Sequence, residues 1–131
     1  MTREKLAARL KRRAASDPLL RDLRLTSRSL GVPIWLVGGA VRDAALGRAA
    51  SDIDLAAGRG ASLAILRLEA VWGRRGFRFR KRGVTTWRFD VHGRRVDLVD
   101  ASGRGIAGDL RRREFTLNAI PRSGSMYGGR S

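Results

Sequence analysis

Hydrophobic and polar positions follow a helical period through the N-terminal part of the chain. The leucines form a stripe that breaks at Ser16-Asp17-Pro18, which predicts two successive helices within Thr2–Ser29. The stripe consists of Leu6, Leu10, Leu19, Leu20, Leu23 and Leu30. Gly31-Val32-Pro33 ends the helical pattern, and the short apolar run Ile34–Val37 that follows predicts a buried strand.

The next segments alternate between helical and strand patterns. A helical pattern over Ala40–Leu46 precedes a short strand pattern over Ser51–Ala56 and a further helical pattern over Ala61–Trp72. The side chains of that last helix expected to face inward are Leu63, Ile65, Leu66 and Ala70.

Between Phe77 and Asp100 the pattern changes to period two. Breaks at Arg82-Gly83 and His92-Gly93 predict two hairpin turns that join three antiparallel strands. The strands expected are Phe77–Lys81, Val84–Val91 and Arg94–Val99. Helices, a strand–helix–strand unit and a meander in this order predict an α+β domain with a mixed sheet, rather than a doubly wound array.

The charge of the chain is strongly positive. Lysine and arginine number 28 against 12 acidic residues, so the formal net charge is +16. Such a surface attracts polyanions, among which nucleic acid comes first because neutralised phosphates release counterions. An arginine-rich composition with a solvated basic face explains the charge equally well.

Composition excludes several kinds of site and location. There is no cysteine, and His92 is the single histidine, so disulfides and the usual thiolate or histidine zinc sites are excluded. No apolar stretch approaches the ~18–20 residues of a membrane span, and the N-terminus lacks the apolar core of a signal peptide. We therefore expect a cytoplasmic protein that does not associate with a membrane.

Gly38-Gly39 lies between a predicted strand and a predicted helix. Two residues without Cβ atoms allow the backbone to approach a ligand, and the helix N-terminus that follows favours an anion such as phosphate. Arg42, about one turn further along, is placed to add a charge-assisted hydrogen bond. A tight turn that is needed only for packing accounts for the two glycines equally well.

Asp52 and Asp54 are expected to leave the same face of a strand, with Ile53 and Leu55 facing the core. Two like charges held side by side are unfavourable unless a cation lies between them, and Mg²⁺ suits carboxylates and phosphates together. The pair therefore predicts a magnesium site, although a solvated strand edge also carries alternating aspartates.

A third acid would complete a two-metal site of the kind that holds both the attacking and the leaving oxygen at phosphorus. Asp97 is favoured because it interrupts an apolar strand, opposite in direction to Val96 and Leu98. Asp90 and Asp100 compete with it, but both lie nearer to turns or strand ends, where aspartate commonly caps the backbone.

Several linked segments resemble a known family. Leu36–Gly47, which reads Leu-Val-Gly-Gly-Ala-Val-Arg-Asp-Ala-Ala-Leu-Gly, and then Asp52-Ile53-Asp54-Leu55 resemble the head domain of bacterial-type CCA-adding enzymes and poly(A) polymerases. These are the class II tRNA nucleotidyltransferases of the polymerase-beta-like superfamily. Val96-Asp97-Leu98 resembles the strand with the family's third carboxylate, and Arg112–Ala119 resembles its second block. The resemblance covers roughly residues 34–120.

The resemblance implies a polymerase-beta-like head domain that transfers a nucleotidyl group from ATP or CTP to an RNA 3′ end, of tRNA in particular, with release of pyrophosphate. Asp52 and Asp54 would bind the metal ions, Mg²⁺ by preference, and Asp97 would polarise the primer 3′-hydroxyl. Residues implied to bind the triphosphate and the nucleotide are Gly38, Gly39, Arg42, Arg113 and Asn118.

The chain departs from the family in two respects. Glu114 stands where the second block has aspartate, so a contact made by that carboxylate is displaced by about 1 Å. The neck element that selects C or A, and the body and tail domains that grip tRNA, do not follow within the 131 residues. The expected organisation is a helical segment at 1–30, the head domain at 31–120 and a Gly/Ser/Arg-rich tail at 121–131, truncated before the neck.

Three functions are therefore considered. The first is metal-dependent nucleotidyl transfer to RNA, for which a partner chain is one possible source of the neck and body. The second is a catalytically incomplete head domain that only binds RNA or nucleotide. The third is a minimal nucleotidyltransferase that modifies a protein or a small molecule.

Overall fold

The structure is a computed structural model, and it describes residues 2–37 and 52–103. Two helices open the chain, α1 (Arg3–Ser16) and α2 (Pro18–Leu30), and a third, α3, spans Ala61–Trp72. The strands, in chain order, are β1 (Ile34–Val37), β2 (Asp52–Ala57), β3 (Phe77–Lys81), β4 (Val84–Val91) and β5 (Arg94–Asp100). The α+β class is confirmed, and the predicted bounds of β1, α3, β3 and β4 agree with those observed.

The five strands form one sheet in the order β1-β2-β5-β4-β3. β2 and β5 are parallel, whereas the other three neighbouring pairs are antiparallel. The sheet is therefore mixed and mostly antiparallel, as predicted. The parallel pair of the described strands joins two strands that are far apart in the chain.

One face of the sheet carries the main core. Leu19, Leu20 and Leu23 of α2 pack there with Ile65 and Leu68 of α3. The strand side chains in the same cluster alternate along their strands, as period two requires. They include Leu36, Ile53, Leu55, Val96, Leu98 and Phe89.

The inward face predicted for α3 is largely wrong. Ile65 is buried as expected, but Leu63 and Leu66 are exposed, and the helix buries Ala61, Ala64 and Leu68 in their place. Ala70 is also exposed. The buried face therefore combines two alanines with Ile65 and Leu68, and Leu63 and Leu66 lie outside it.

A buried carboxylate fixes the start of α2, and a glycine fixes its end. Asp17 caps the helix by accepting a hydrogen bond from the backbone N–H of Leu19 at 3.0 Å, with Pro18 in the first turn. Gly31 ends the helix in the left-handed conformation, at φ 68°. The same Asp17 carboxylate accepts a hydrogen bond from Arg94 at 2.7 Å, which ties α2 to the beginning of β5.

Both predicted hairpin turns are confirmed. Arg82 and Gly83 have φ of 54° and 76°, and His92 and Gly93 have φ of 54° and 73°. Positive φ at both central residues belongs to the two-residue turn that suits the right-handed twist of paired strands. The turns fix the register of β3, β4 and β5 because each loop contains two residues.

Among the described residues, no helix combines the length and the apolar character needed to cross a membrane.

Candidate active site

The face of the sheet opposite α2 and α3 carries the acidic residues singled out in the sequence. Asp52 and Asp54 leave β2 on this face, while Ile53 and Leu55 between and after them are buried in the core. This arrangement is the one predicted from their spacing, and it follows from the alternation of side chains along a strand.

Asp97 joins them from the neighbouring strand. It is the direct partner of Asp54 in the parallel pairing of β2 with β5, so both side chains leave the same face. Asp97 is opposite in direction to Val96 and Leu98, which are fully buried in the main core. The structure therefore brings together the three carboxylates that the sequence analysis selected.

The electrostatic consequence appears at Asp54. Partial burial of its carboxyl group raises its pKa, although the residue as a whole stays exposed, and the charge of Asp97 raises it further. Lys81 acts in the opposite direction, Asp52 adds a smaller increase, and Arg88 a small decrease. The net pKa of Asp54 is raised, because negative charge is crowded at a place where solvent only partly relieves it.

Asp97 is held by an arginine that the sequence analysis had not selected. Arg88 of β4 donates to both carboxylate oxygens, from Nε to Oδ1 at 2.8 Å and from Nη2 to Oδ2 at 2.9 Å. The Asp97 side chain is only 10% exposed, so this two-pronged contact also fixes its direction. The hydrogen bonds to Asp97 raise the pKa of Arg88 above its ordinary value.

A row of partners continues from the carboxylates to the edge of the sheet. Asp97 pairs with Arg88, and Arg88 pairs in turn with Phe77 of β3. The guanidinium carbon of Arg88 lies 4.9 Å from the ring centre of Phe79, which stacks on Phe77 with centroids 5.7 Å apart. Carboxylate, guanidinium and aromatic ring thus follow one another across the sheet.

Asp90 and Asp100, the alternatives to Asp97 as third acid, lie at different positions in the sheet. Asp100 is in register with the core-facing positions of β5, and its Oδ1 accepts hydrogen bonds from the backbone N–H and the hydroxyl of Ser102. This is the turn role that its position at a strand end indicated. Asp90 lies on the same face as Asp97, two positions beyond Arg88, and is the partner of Arg95.

The remaining predicted site residues lie outside the described part of the chain. They are Gly38, Gly39, Arg42, Arg113 and Asn118, and Glu114 lies there too. Their roles stay predictions. The described chain does show that β1 ends at Val37, the partner of Asp54, so the residue preceding Gly38 lies beside the carboxylates.

Within residues 2–37 and 52–103, no group of three or more acidic or histidine side chains is close enough to form a ready-made metal site. Arg88 already occupies both oxygens of Asp97, which leaves Asp52 and Asp54 as the exposed carboxylates of the set. Two adjacent carboxylates with a raised pKa at Asp54 fit a hard divalent cation, since such an ion relieves their repulsion.

Arg88 and Lys81 were not predicted as site residues, although the sequence contains a signal for Arg88. A two-residue turn at His92-Gly93 pairs Val91 with Arg94, and counting back along both strands pairs Arg88 with Asp97. The charge of Lys81 on β3 lowers the pKa of Asp54 on β2, although these two strands are not neighbours in the sheet. No local sequence pattern predicts this effect.

The described fold is an α+β domain with carboxylates on two adjacent strands of a mixed sheet, on the face away from its helices. Residues 34–126 match the family described as the poly A polymerase head domain. The chain belongs to the poly A polymerase head domain family.

Individual proteins extend this match. The chain is 35% identical over 106 residues to the CC-adding tRNA nucleotidyltransferase of Geobacter sulfurreducens, which covers 80% of this chain and 25% of that protein. A Thermotoga maritima CCA-adding enzyme in complex with tRNA shares its fold with a TM-score of 0.62, 23% identity, and coverage of 85% of this chain and 29% of that one. A CCA-adding enzyme solved with CTP is 31% identical, with a TM-score of 0.54 and coverage of 79% and 25%. The chain thus spans about a quarter of the length of these relatives.

Proposed function

We propose that this chain is a catalytic head domain that transfers a nucleotidyl group from CTP or ATP to the 3′ end of an RNA, in the cytoplasm, with tRNA as the favoured acceptor. The observation that carries the proposal is the pairing of Asp54 with Asp97 on adjacent parallel strands, together with the raised pKa of Asp54. The family and the relatives, which include a tRNA nucleotidyltransferase and a CCA-adding enzyme solved with CTP, support the same reaction.

The reaction joins two polyanions, so charge is its main obstacle. The 3′-hydroxyl oxygen of the RNA forms a bond to the α-phosphorus, and the bond from that phosphorus to the oxygen bridging to the β-phosphorus breaks. Pyrophosphate leaves with the electron pair, and the hydroxyl proton passes to a carboxylate or to water. Positioning and charge neutralisation supply most of the acceleration in such transfers.

Each of the three carboxylates Asp52, Asp54 and Asp97 has a part in this proposal. Asp52 and Asp54 would hold Mg²⁺, which when bound neutralises phosphate charge as a Lewis acid. Asp97 faces the 3′-hydroxyl. Both its oxygens accept from Arg88, yet each carboxylate oxygen keeps a second lone pair with which to accept from a hydroxyl. Gly38, Gly39, Arg42, Arg113 and Asn118 are proposed to hold the nucleotide.

The test is a transfer assay with labelled CTP or ATP, Mg²⁺ and a tRNA that lacks its terminal nucleotides. We expect label on the RNA with the unaltered chain and its loss with Asp54→Asn or Asp97→Asn. Asp100→Asn is the matched control, because it removes a charge from β5 at a residue that bonds to Ser102 and does not join the site. Equal transfer by Asp54→Asn and the unaltered chain would exclude the proposed site, and label on protein would favour a protein-modifying enzyme instead.

A second candidate, binding of RNA without catalysis, is favoured by the excess of +16 charges. The transfer assay distinguishes it: affinity for RNA falls steeply with salt in both cases, but transfer is absent only in the second.

A further inference from the structure

The edge strand β3 carries an unusual combination of side chains. Of the nine residues 74–82, six are basic and none is acidic, and the two aromatic residues of the segment are Phe77 and Phe79. In the described sheet β3 pairs with β4 alone, so its other edge is open. We call residues 74–82 the edge segment; its basic residues are Arg74, Arg75, Arg78, Arg80, Lys81 and Arg82.

Phe77 is the feature that needs an explanation. Its side chain is 66% exposed, although it stacks on Phe79 and lies on the same face as Asp54 and Asp97. Charged residues on an edge strand discourage pairing with another sheet, and that accounts for the arginines. It does not account for an exposed phenyl ring among them.

Basic side chains combined with exposed aromatic rings are the means by which proteins hold single-stranded nucleic acid. The cations follow the phosphates, and each ring stacks on a base whatever its sequence. In β3 the rings of Phe77 and Phe79 leave one face, while Arg78 and Arg80, the partners of Trp87 and Thr85, leave the other. Strand β3 therefore presents aromatic rings on one face and arginine side chains on the other.

The distance to the carboxylates suits the same ligand. Asp54, Asp97, Arg88 and Phe77 are successive partners across three strand spacings of about 4.8 Å, or about 14 Å in all. That length corresponds to about four stacked nucleotides at a rise of about 3.4 Å each. A base stacked on Phe77 would thus lie about four nucleotides from an RNA 3′ end placed at Asp54 and Asp97.

We infer that the edge segment binds the single-stranded 3′ portion of the acceptor RNA, with a base stacked on Phe77 and phosphates along Arg78 and its basic neighbours. The inference rests on the proposed function for the direction of the strand. Binding at Phe77 is nevertheless measured without nucleotide or metal, and therefore separately from transfer.

The experiment measures fluorescence anisotropy of the full 131-residue chain with an internally labelled RNA hairpin, either with a short single-stranded 3′ tail or blunt. Phe77→Ala is expected to weaken binding of the tailed RNA by at least about fivefold, since stacking on one base is lost. Phe77→Trp should retain binding, and the blunt hairpin should not respond to either change. Phe77→Thr, which keeps a strand-forming residue, provides a second variant should the alanine variant fold poorly.

Matched controls come from α3 on the other face. Leu66 is 63% exposed, so Leu66→Ala removes a similar exposed apolar side chain and should leave binding unchanged. Arg78→Gln should reduce the slope of log affinity against log salt by about 0.7, the value for one phosphate on a single strand, whereas Arg67→Gln on α3 should not.

The results separate the two proposals. Weaker binding of the tailed RNA by Phe77→Ala supports the inference even if the unaltered chain transfers no nucleotide, in which case the proposed function alone fails. Unchanged binding and an unchanged KM for RNA overturn the inference while transfer persists. An equal loss of RNA affinity with Leu66→Ala, or with the blunt hairpin, also overturns the inference. So does the finding that Phe77→Ala changes only the self-association of the chain.

Discussion

Arg88 donates two hydrogen bonds, of 2.8 and 2.9 Å, to the carboxylate of Asp97. A carboxylate of the candidate site is therefore held by a residue of the neighbouring strand β4 and not by a residue of β5. The same guanidinium lies over Phe79, 4.9 Å from the ring centre. Arg88 is thereby fixed on both sides. The direction of Asp97 depends on the packing of β4 and β3 as much as on β5.

Replacement of Arg88 should impair transfer through the position of Asp97. We expect Arg88→Ala to lower the transfer rate by about 10- to 100-fold, the range found when outer partners of metal-site residues are removed. Arg88→Lys keeps the charge but loses the two-pronged geometry, so it should restore little. Rates and KM for nucleotide would be measured for both variants. Full activity with Arg88→Ala would show that Asp97 needs no such support.

Asp54 should reduce the stability of the fold at neutral pH. The pKa of Asp54 in the folded state is raised above the usual 3.8, which means that the protonated carboxyl group favours the folded state. This contribution is complete below pH 3.8 and is lost as the pH rises through the folded pKa. Asp54→Asn should therefore raise Tm at neutral pH, with little change in acid, while lowering transfer at least about a hundredfold. Thermal unfolding across pH measures the difference.

A divalent cation should act on the same repulsion. Mg²⁺ is expected to raise the Tm of the unaltered chain at neutral pH and to have less effect on Asp54→Asn, because binding to the folded state alone adds to stability. The control is Asp100→Asn, whose response to Mg²⁺ should equal that of the unaltered chain. Identical responses of all three proteins would argue against a cation at Asp54.

The contact between Asp17 and Arg94 should contribute to stability with the opposite pH dependence. Burial alone would raise the pKa of Asp17, but the hydrogen bond and charge of Arg94 and the backbone N–H of Leu19 outweigh it, so the pKa lies below 3.8. The contribution is then present above pH 3.8 and is lost as the pH falls through the folded pKa.

Arg94→Ala should cost about 3 kcal/mol at neutral pH, because a buried carboxylate loses its cation. Urea unfolding of Arg94→Ala, Asp17→Asn and the double variant gives the coupling between the two residues. The cost of Arg94→Ala should shrink in acid. Additive effects at neutral pH would contradict a direct interaction.

Gly76 has a packing role that a methyl group would disturb. A Cβ there would lie 2.7 Å from Cζ and 3.0 Å from Cε1 of Phe89, whose ring packs edge-on against Trp72 at 5.0 Å. Gly76→Ala should destabilise the chain by about 1–3 kcal/mol, the usual cost of overpacking a core. Arg75→Ala, one residue away and exposed, is the control. An unchanged unfolding midpoint would mean that Phe89 moves aside freely.

The hairpins show how much of this sheet the sequence determines. Arg82-Gly83 and His92-Gly93 reveal both the turns and the register, because two-residue turns leave only one way to count back along the strands. The pairing of Asp54 with Asp97 could not be predicted in this way. It depends on a parallel contact between strands that no short turn connects. The expected two-metal site and the family resemblance suggested that the two residues meet, but no local pattern gave their register.

The faces of α3 illustrate a different limit. Leucines at helical spacing predicted an inward Leu63 and Leu66, but the helix buries Ala61 and Ala64 instead. Hydrophobicity alone favours the larger residues, whereas close approach to a neighbouring helix, here α2, favours the smaller ones. Propensity and period cannot decide between them without knowing the space that is available.

The parallel pairing of β2 with β5 also has a consequence for the order of folding. The two hairpins close over two residues each, whereas Asp54 and Asp97 are 97 − 54 = 43 positions apart, so their meeting carries a larger loss of chain entropy. Partly folded molecules that have formed only their hairpins would hold Arg88 against Asp97 and present Phe77, but would lack the second carboxylate. The pair of carboxylates is therefore complete only once β2 lies beside β5.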